Sequence, residues 1–323
     1  MIQLSEFEDH FDRSIQVSKF SSLPKLIGDT NGYAYNGKIK IFYEIINPKV
    51  KKIGSILLIS RNSESLISWP QNFLNQFLEK GYELIRFDNR DLGMSDWIEN
   101  WTKKRAYSLE DMSRDAMAVV DKLKLNNIHL IGSSMGGMIA QRLVIDFPSI
   151  FKSLTCIMSS GYYFDPQLIS LSRNIKKRFA KIFFKLARKP ITIEKILKIR
   201  LTIDQLWLGK GDYTLDLGEL LKIYNYELKL RRGFNKDVFK HHSYAIKKSG
   251  SRLNELKGIK CPSLIIHGTD DPLINLGHAK KYVKFIPNAR KYYLEGMGHD
   301  LPDKYIKSIT KEIIKLISVP KLK

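Results

Sequence analysis

Cysteine is almost absent. Cys156 and Cys261 are the only two in 323 residues. They lie far apart, each beside an apolar run, and read as two buried thiols rather than a disulfide. There is no Cys-x-x-Cys and no Cys/His cluster, so no metal or organic cofactor is expected. Long hydrophobic runs are lacking too. No segment approaches the roughly 20 apolar residues that a membrane span needs. The N-terminal MIQLSEFEDHF is acidic and has no apolar core of a secretory signal. Both absences lead to a cytoplasmic location as the expectation. Acidic residues are in short supply: 33 Asp and Glu face 54 Lys and Arg, for a formal net charge of +21. That balance would suit nucleic acid, an anionic membrane or acidic ligands. The lysines are scattered, however, and no zinc-finger, RNP or Walker pattern accompanies them. The charge therefore reads as a chain-wide bias, and nucleic acid is not an expected partner.

What is present is a series of short, nearly all-apolar runs: Ser55–Ser60, Tyr82–Phe87, Ile128–Ile131, Leu154–Met158, Ser263–Ile266 and Lys291–Leu294. Strands buried on both faces of a parallel sheet have this composition. An earlier strand pair, Gly32–Ala34 and Lys38–Ile46, is joined by the turn signal Asn36-Gly37. Helical stretches separate most of the runs. Pro70–Lys80 ends at Gly81, Ser108–Leu123 opens with a capping-box pattern, Met135–Phe147 stops at Pro148, and Lys304–Ile317 closes the chain. The alternation predicts an α/β class fold, a mostly parallel, doubly wound sheet. It breaks between about Gly161 and Lys257, where helix follows helix (Gln167–Arg188, Ile193–Leu201, Leu217–Leu230). Residues 162–250 hold 20 Lys and Arg against 8 Asp and Glu, over half of the net charge. The expected organisation is an N-terminal arm (1–30), a core built from 31–160 and 258–323, and a basic helical cap inserted in mid-sheet (161–257). The amphipathic stretch Gln167–Arg188 also allows transient contact with an anionic membrane.

The segment Asn127-Ile-His-Leu-Ile-Gly-Ser-Ser-Met-Gly-Gly-Met138 places Gly132-x-Ser134-x-Gly136 directly after an apolar strand and directly before a helix. That setting distinguishes a nucleophile turn from a chance GxSxG, since it projects the serine hydroxyl at the carboxyl edge of the sheet. A serine hydroxyl is a weak nucleophile and needs a base, and the base needs an orienting acid. Of seven histidines, only His299 combines a late position with a glycine-rich loop at a strand end. His129 lies within a strand and His241 and His242 lie in the cap, while His267 ends a strand beside the candidate acids. For the acid, the loop after Leu264–His267 offers both Asp270 and Asp271, and the residues alone leave the choice open.

These segments resemble the α/β-hydrolase superfamily, and within it the esterase-like group that includes the aclacinomycin methylesterases. The resemblance runs from about Tyr33 to Ile317 and is weakest in the cap. It is carried by Trp69-Pro70 with the following helix, by Phe87-Asp-Asn-Arg-Asp-Leu-Gly-Met-Ser95, by the Ser134 turn, and by HGTDDP and GMGHDLP around Asp271 and His299. It implies an α/β-hydrolase fold, Ser134 as nucleophile, His299 as base, Asp271 as its orienter and the backbone N–H of Met135 as half of an oxyanion hole. The other half normally follows a His-Gly or Gly-Gly pair. Here the loop reads Ile59-Ser60-Arg61-Asn62, so the second donor falls to Arg61 or Asn62, and the lost glycine reduces backbone freedom. The Arg61 side chain is expected to point to solvent or to meet a negative group of the substrate. The resemblance implies hydrolysis of a small-molecule carboxylic ester. Carbon–carbon bond hydrolysis, thioester or lipid cleavage on the same fold are alternatives, and a non-catalytic ligand receptor is the alternative of a different class.

Overall fold

Eight strands, the central ones almost wholly apolar, pair into one sheet. The computed structural model describes residues 25–28, 30–168, 173–187 and 192–318, so the arm expected over 1–30 falls almost wholly outside the described residues. The strands are β1 (Asn31–Asn36), β2 (Ile39–Ile46), β3 (Gly54–Ile59), β4 (Tyr82–Phe87), β5 (Ile128–Ser133), β6 (Phe151–Ile157), β7 (Ser263–Gly268) and β8 (Arg290–Leu294). Their order is β1-β2-β4-β3-β5-β6-β7-β8. The β1–β2 hairpin turns at Gly37, whose φ of 58° suits glycine. β2 lies antiparallel to β4, and from β4 onward every pairing is parallel.

Parallel neighbours need crossovers, and helices supply them on both faces. α1 (Gln71–Leu78) and α9 (Asp303–Ile317) cover one face. α2 (Leu109–Lys122), α3 (Met135–Asp146) and α8 (Leu276–Tyr282) cover the other. α2 starts where the sequence signals it: the Ser108 side chain accepts from the Asp111 N–H, and the Asp111 carboxylate accepts from the Ser108 N–H. The two layers of apolar side chains explain the composition of the central strands. Ile56 and Leu58 point to the α1/α9 side, and Leu57 and Ile59 to the α2/α3 side, all fully buried. Strand β6 begins three residues earlier than its apolar run, because Lys152 reaches solvent between buried Phe151 and Ser153.

Between β6 and β7 the chain leaves the sheet and forms α4 (Arg173–Ala187), α5 (Ile193–Trp207), α6 (Leu217–Leu230) and α7 (Val238–Ser249). β6 and β7 are nonetheless direct hydrogen-bonded neighbours, with Leu154 opposite Ser263. The helical segment is therefore a pure insertion in sheet topology. Its helices cohere through clusters such as Phe179, Ile182, Ile199, Leu206 and Trp207. It is tied to the sheet through the loop after β4. Arg231 pairs with Asp88, His241 Nδ1 lies 2.9 Å from Asp91 Oδ2, and Asn235 donates to the Asp91 carbonyl at 3.0 Å. His242 donates from Nε2 to the Arg90 carbonyl (2.9 Å) and accepts at Nδ1 from the Ser63 N–H (3.3 Å). One donating and one accepting nitrogen describe a neutral ring, and burial pushes its pKa down to about 4. The segment Phe87–Ser95, which carries part of the family resemblance, is thus also the joint that holds the insertion. Both cysteines are free, with Cys156 buried and Cys261 only partly so, which corrects the expectation of two buried thiols. Among the described residues no helix is long and apolar enough to cross a membrane.

Candidate active site

Ser134 sits between β5 and α3 with φ 53° and ψ −118°, a left-handed backbone that a non-glycine residue adopts only under strain. The surrounding glycines are required by contact. A Cβ at Gly132 would come within 2.3 Å of the Gly136 carbonyl oxygen, and one at Gly136 within 2.0 Å of the Ile59 carbonyl oxygen. The turn is therefore pressed against the end of β3, and the serine is forced outward at the carboxyl edge of the sheet.

Two other strand ends converge on it. His299 follows β8, and its Nε2 lies 2.9 Å from Ser134 Oγ. Asp271 follows β7, and its Oδ2 lies 2.7 Å from His299 Nδ1. The second oxygen, Oδ1, accepts from the N–H groups of Leu273 (2.9 Å) and Ile274 (2.8 Å). Burial opposes charge on Asp271, but the imidazoles of His299 and His267 and these hydrogen bonds hold its carboxyl well below the usual carboxylate range. The structure thus separates the two aspartates that sequence left together. Asp270 points away and accepts from the Lys210 N–H at 3.3 Å. His267 shapes the acid loop as expected, donating from Nε2 to the Ile274 carbonyl at 2.6 Å.

The loop after β3 brings Arg61 and Asn62 to the same cavity as Ser134 and His299. Among the described residues the backbone N–H groups of Met135, Arg61 and Asn62 have no hydrogen-bond partner. Met135 follows Ser134 directly, and Arg61 and Asn62 line the cavity that holds Ser134, so these N–H groups are the candidates for meeting an oxyanion. The Arg61 side chain neither points freely to solvent nor waits unpaired. Nη1 donates to the His299 carbonyl at 2.8 Å, and Nη2 lies 3.7 Å from Glu64.

The cavity over Ser134 has a volume of about 160 Å³. Sheet residues form its floor and the insertion forms its roof. Phe179, Ile199, Ile203, Trp207 and Tyr224 give it apolar walls, and Arg200 and Asp204 put charge among them. Of the aromatic residues of the insertion, Phe179, Trp207 and Tyr224 line it. Tyr226 packs in the same core cluster as Tyr224 without lining the cavity, Phe184 is largely exposed, and the side chain of Phe183 lies outside what is described. Trp207 also holds the backbone of His299: its carbonyl accepts from the His299 N–H at 2.7 Å. The Tyr213 hydroxyl accepts from the N–H groups of Gly209 and Gly298 (2.9 Å each) and donates to Asp300 at 3.1 Å. Sequence reasoning missed Arg200, Asp204 and Tyr213. The spacing 196, 199/200, 203/204, 207 on α5 is the signal that could have placed the first two on the pocket face.

The family described as the alpha/beta hydrolase fold matches residues 56–194. That match spans under half of the chain; the parallel sheet, the strained serine turn and the insertion between β6 and β7 show the α/β-hydrolase fold. Within that fold it is 28% identical to the rhodomycin D methylesterase DnrP of Streptomyces peucetius, over 76% of this chain and 85% of that one. It is 26% identical to a 2-hydroxy-6-oxononadienedioate/2-hydroxy-6-oxononatrienedioate hydrolase of a Pseudomonas species, over 70% of this chain and 74% of the relative. Among solved structures, the enol-lactonase of Burkholderia xenovorans LB400 superposes with a TM-score of 0.68 at 17% identity, covering 89% of this chain and 100% of that one.

Proposed function

We propose that the protein is a serine hydrolase that cleaves a carboxylic ester of a small organic molecule through an acyl-enzyme. The observation that carries this reading is the continuous chain Ser134 Oγ–His299 Nε2 and His299 Nδ1–Asp271 at 2.9 and 2.7 Å. Likeness to a methylesterase supports the ester as the bond cleaved.

In this mechanism His299 takes the Ser134 proton as Oγ attacks the ester carbonyl. Asp271, held ionised, keeps the Nδ1–H tautomer and balances the imidazolium. The tetrahedral oxyanion meets the N–H of Met135 and that of Arg61 or Asn62. His299 then passes its proton to the departing alcohol. Water, deprotonated by the same imidazole, attacks the acyl-enzyme, and the acid leaves as Ser134 regains its proton. Residues 161–257 act as the cap that chooses the substrate, and residues 31–160 with 258–323 act as the catalytic core. Carbon–carbon bond hydrolysis is the second reading, favoured by the likeness to the dienedioate hydrolase.

Hydrolysis of p-nitrophenyl esters of increasing acyl length tests the proposal. Wild type should turn them over, and Ser134→Ala should lose at least about 10⁴-fold in kcat. Equal rates in the two proteins, or a folded wild type that neither cleaves any ester nor takes up a fluorophosphonate at Ser134, would overturn it.

A further inference from the structure

Among the described residues one cation lining the cavity, Arg200, has a ring contact but no side-chain hydrogen bond or ion pair. Arg200 projects from α5 into the space above Ser134 and His299. Its guanidinium carbon stands 3.8 Å from the ring centroid of Tyr224, within cation–π range. Among the described residues no hydrogen bond and no ion pair within 4.0 Å involves Arg200. This is unusual for a half-buried arginine, which carries five donors.

The acids that might have taken those donors are engaged elsewhere. Asp204, one helical turn on, accepts from the Tyr224 hydroxyl. Glu64 faces Arg61. Glu227 pairs with Arg231 at 2.7 Å and also accepts from Ser65. At longer range Glu64, Glu227 and Asp204 still act to keep the Arg200 charge on, although burial opposes it. The result is a charged guanidinium beside the apolar wall of Ile199, Ile203 and Phe179, with no acid of the described residues paired to it. The planar fork of a guanidinium matches a carboxylate bidentately.

We infer that Arg200 binds a carboxylate on the acyl portion of the substrate, so that the substrates are half-esters of dicarboxylic acids rather than neutral esters. The inference rests on the ester-hydrolase reading and names its substrate class. The ester carbonyl sits at Ser134, the intervening carbons contact Ile199, Ile203 and Phe179, and the free carboxylate reaches Arg200. Arg61 has a different task in this arrangement: its donors are spent on the His299 loop and Glu64, so it backs the base.

The test compares p-nitrophenyl half-esters of succinic, glutaric and adipic acids with p-nitrophenyl esters of neutral acids of equal chain length. For each protein the readout is the ratio of kcat/KM values, half-ester over neutral ester. Wild type should favour one half-ester length, mainly through KM. Arg200→Met should lower that ratio roughly tenfold to a hundredfold, as expected for lost hydrogen bonds to a charged group. Arg200→Lys should fall between, because it keeps charge without the fork. A wild-type ratio of one or less at every length, or a ratio that Arg200→Met leaves unchanged, overturns the inference. Calorimetric titration of Ser134→Ala with glutarate and adipate separates this outcome from failure of the esterase reading. Binding that Arg200→Met abolishes supports the carboxylate subsite even if no ester is cleaved, and absence of binding to the Ser134→Ala protein refutes it.

Discussion

Ser134, Asp271 and His299 stand just beyond strands of one sheet, while Phe179, Arg200 and Trp207 stand on helices of an insertion that the sheet does not need for its own pairing. The first group is positioned by backbone. Its turns are set by hydrogen bonds between strands, by glycines with no room for a Cβ, and by N–H groups donated to Asp271. The second group is positioned by side-chain packing and a few polar ties, such as Arg231 to Asp88 and His241 to Asp91. Backbone-set positions vary little with sequence, whereas packed positions can be refilled. Chemistry should therefore reside in the sheet edge and selectivity in the insertion.

Substitutions of graded effect can break this division. Asp271→Asn is expected to lower kcat about 10⁴-fold with little change in melting temperature. Its Oδ1 can still accept from Leu273 and Ile274, but its amide would present N–H groups to His299 Nδ1 and favour the wrong tautomer. Steady-state kinetics beside a thermal melt checks this, and a large melting loss would mean that Asp271 is mainly structural. Phe179→Ala, in the insertion, should lower kcat/KM by about tenfold for butyryl and longer esters and least for acetyl. A uniform loss at every acyl length would show that the insertion serves the chemistry as well.

The smallest effect is expected at the seam. Asp300 follows the base in sequence and accepts from Tyr213 of the insertion, and burial raises its pKa to about 7. The folded chain thus holds this proton more tightly than the unfolded chain, where it leaves near pH 3.9. Stability from the protonated form is complete below about pH 4 and is lost as pH rises through about 7. Asp300→Asn, always neutral, should melt a few degrees above wild type at pH 8 and match it at pH 4. Melting curves across that range check the sign.

The same division governs what could be read from sequence. The central strands β3 to β7 follow from apolar runs, because burial on both faces leaves a compositional mark, while the β1–β2 hairpin is read from its Asn36-Gly37 turn. The serine turn was legible because strand, turn and helix flank it in fixed order. His299 was legible because its loop ends a strand late in the chain. Asp271 over Asp270 was not settled by the residues, since both occupy the same short loop; the difference is direction, set by the N–H groups of Leu273 and Ile274. In the insertion an apolar face is the same in sequence whether it packs against a neighbour or lines a cavity. Tyr224 and Tyr226 illustrate this: two positions apart on α6, both pack in one core cluster, yet Tyr224 also lines the cavity and Tyr226 does not. Arg200 among many basic residues carries no mark until its place in the cavity wall beside Tyr224 is seen in three dimensions.

The pairing of β6 with β7 across the whole insertion has a thermodynamic side. The ends of that excursion are hydrogen-bonded neighbours, so the sheet experiences the insertion as a closed loop. Closure entropy grows only logarithmically, about 0.6 kcal/mol for each doubling of loop length. Helices there can be lengthened, shortened or exchanged at small cost to strand register, provided the ties to Asp88, Asp91 and the His299 loop survive. Those few ties, rather than the number of residues between Ile157 and Ser263, set how far the roof can change while the floor keeps its chemistry.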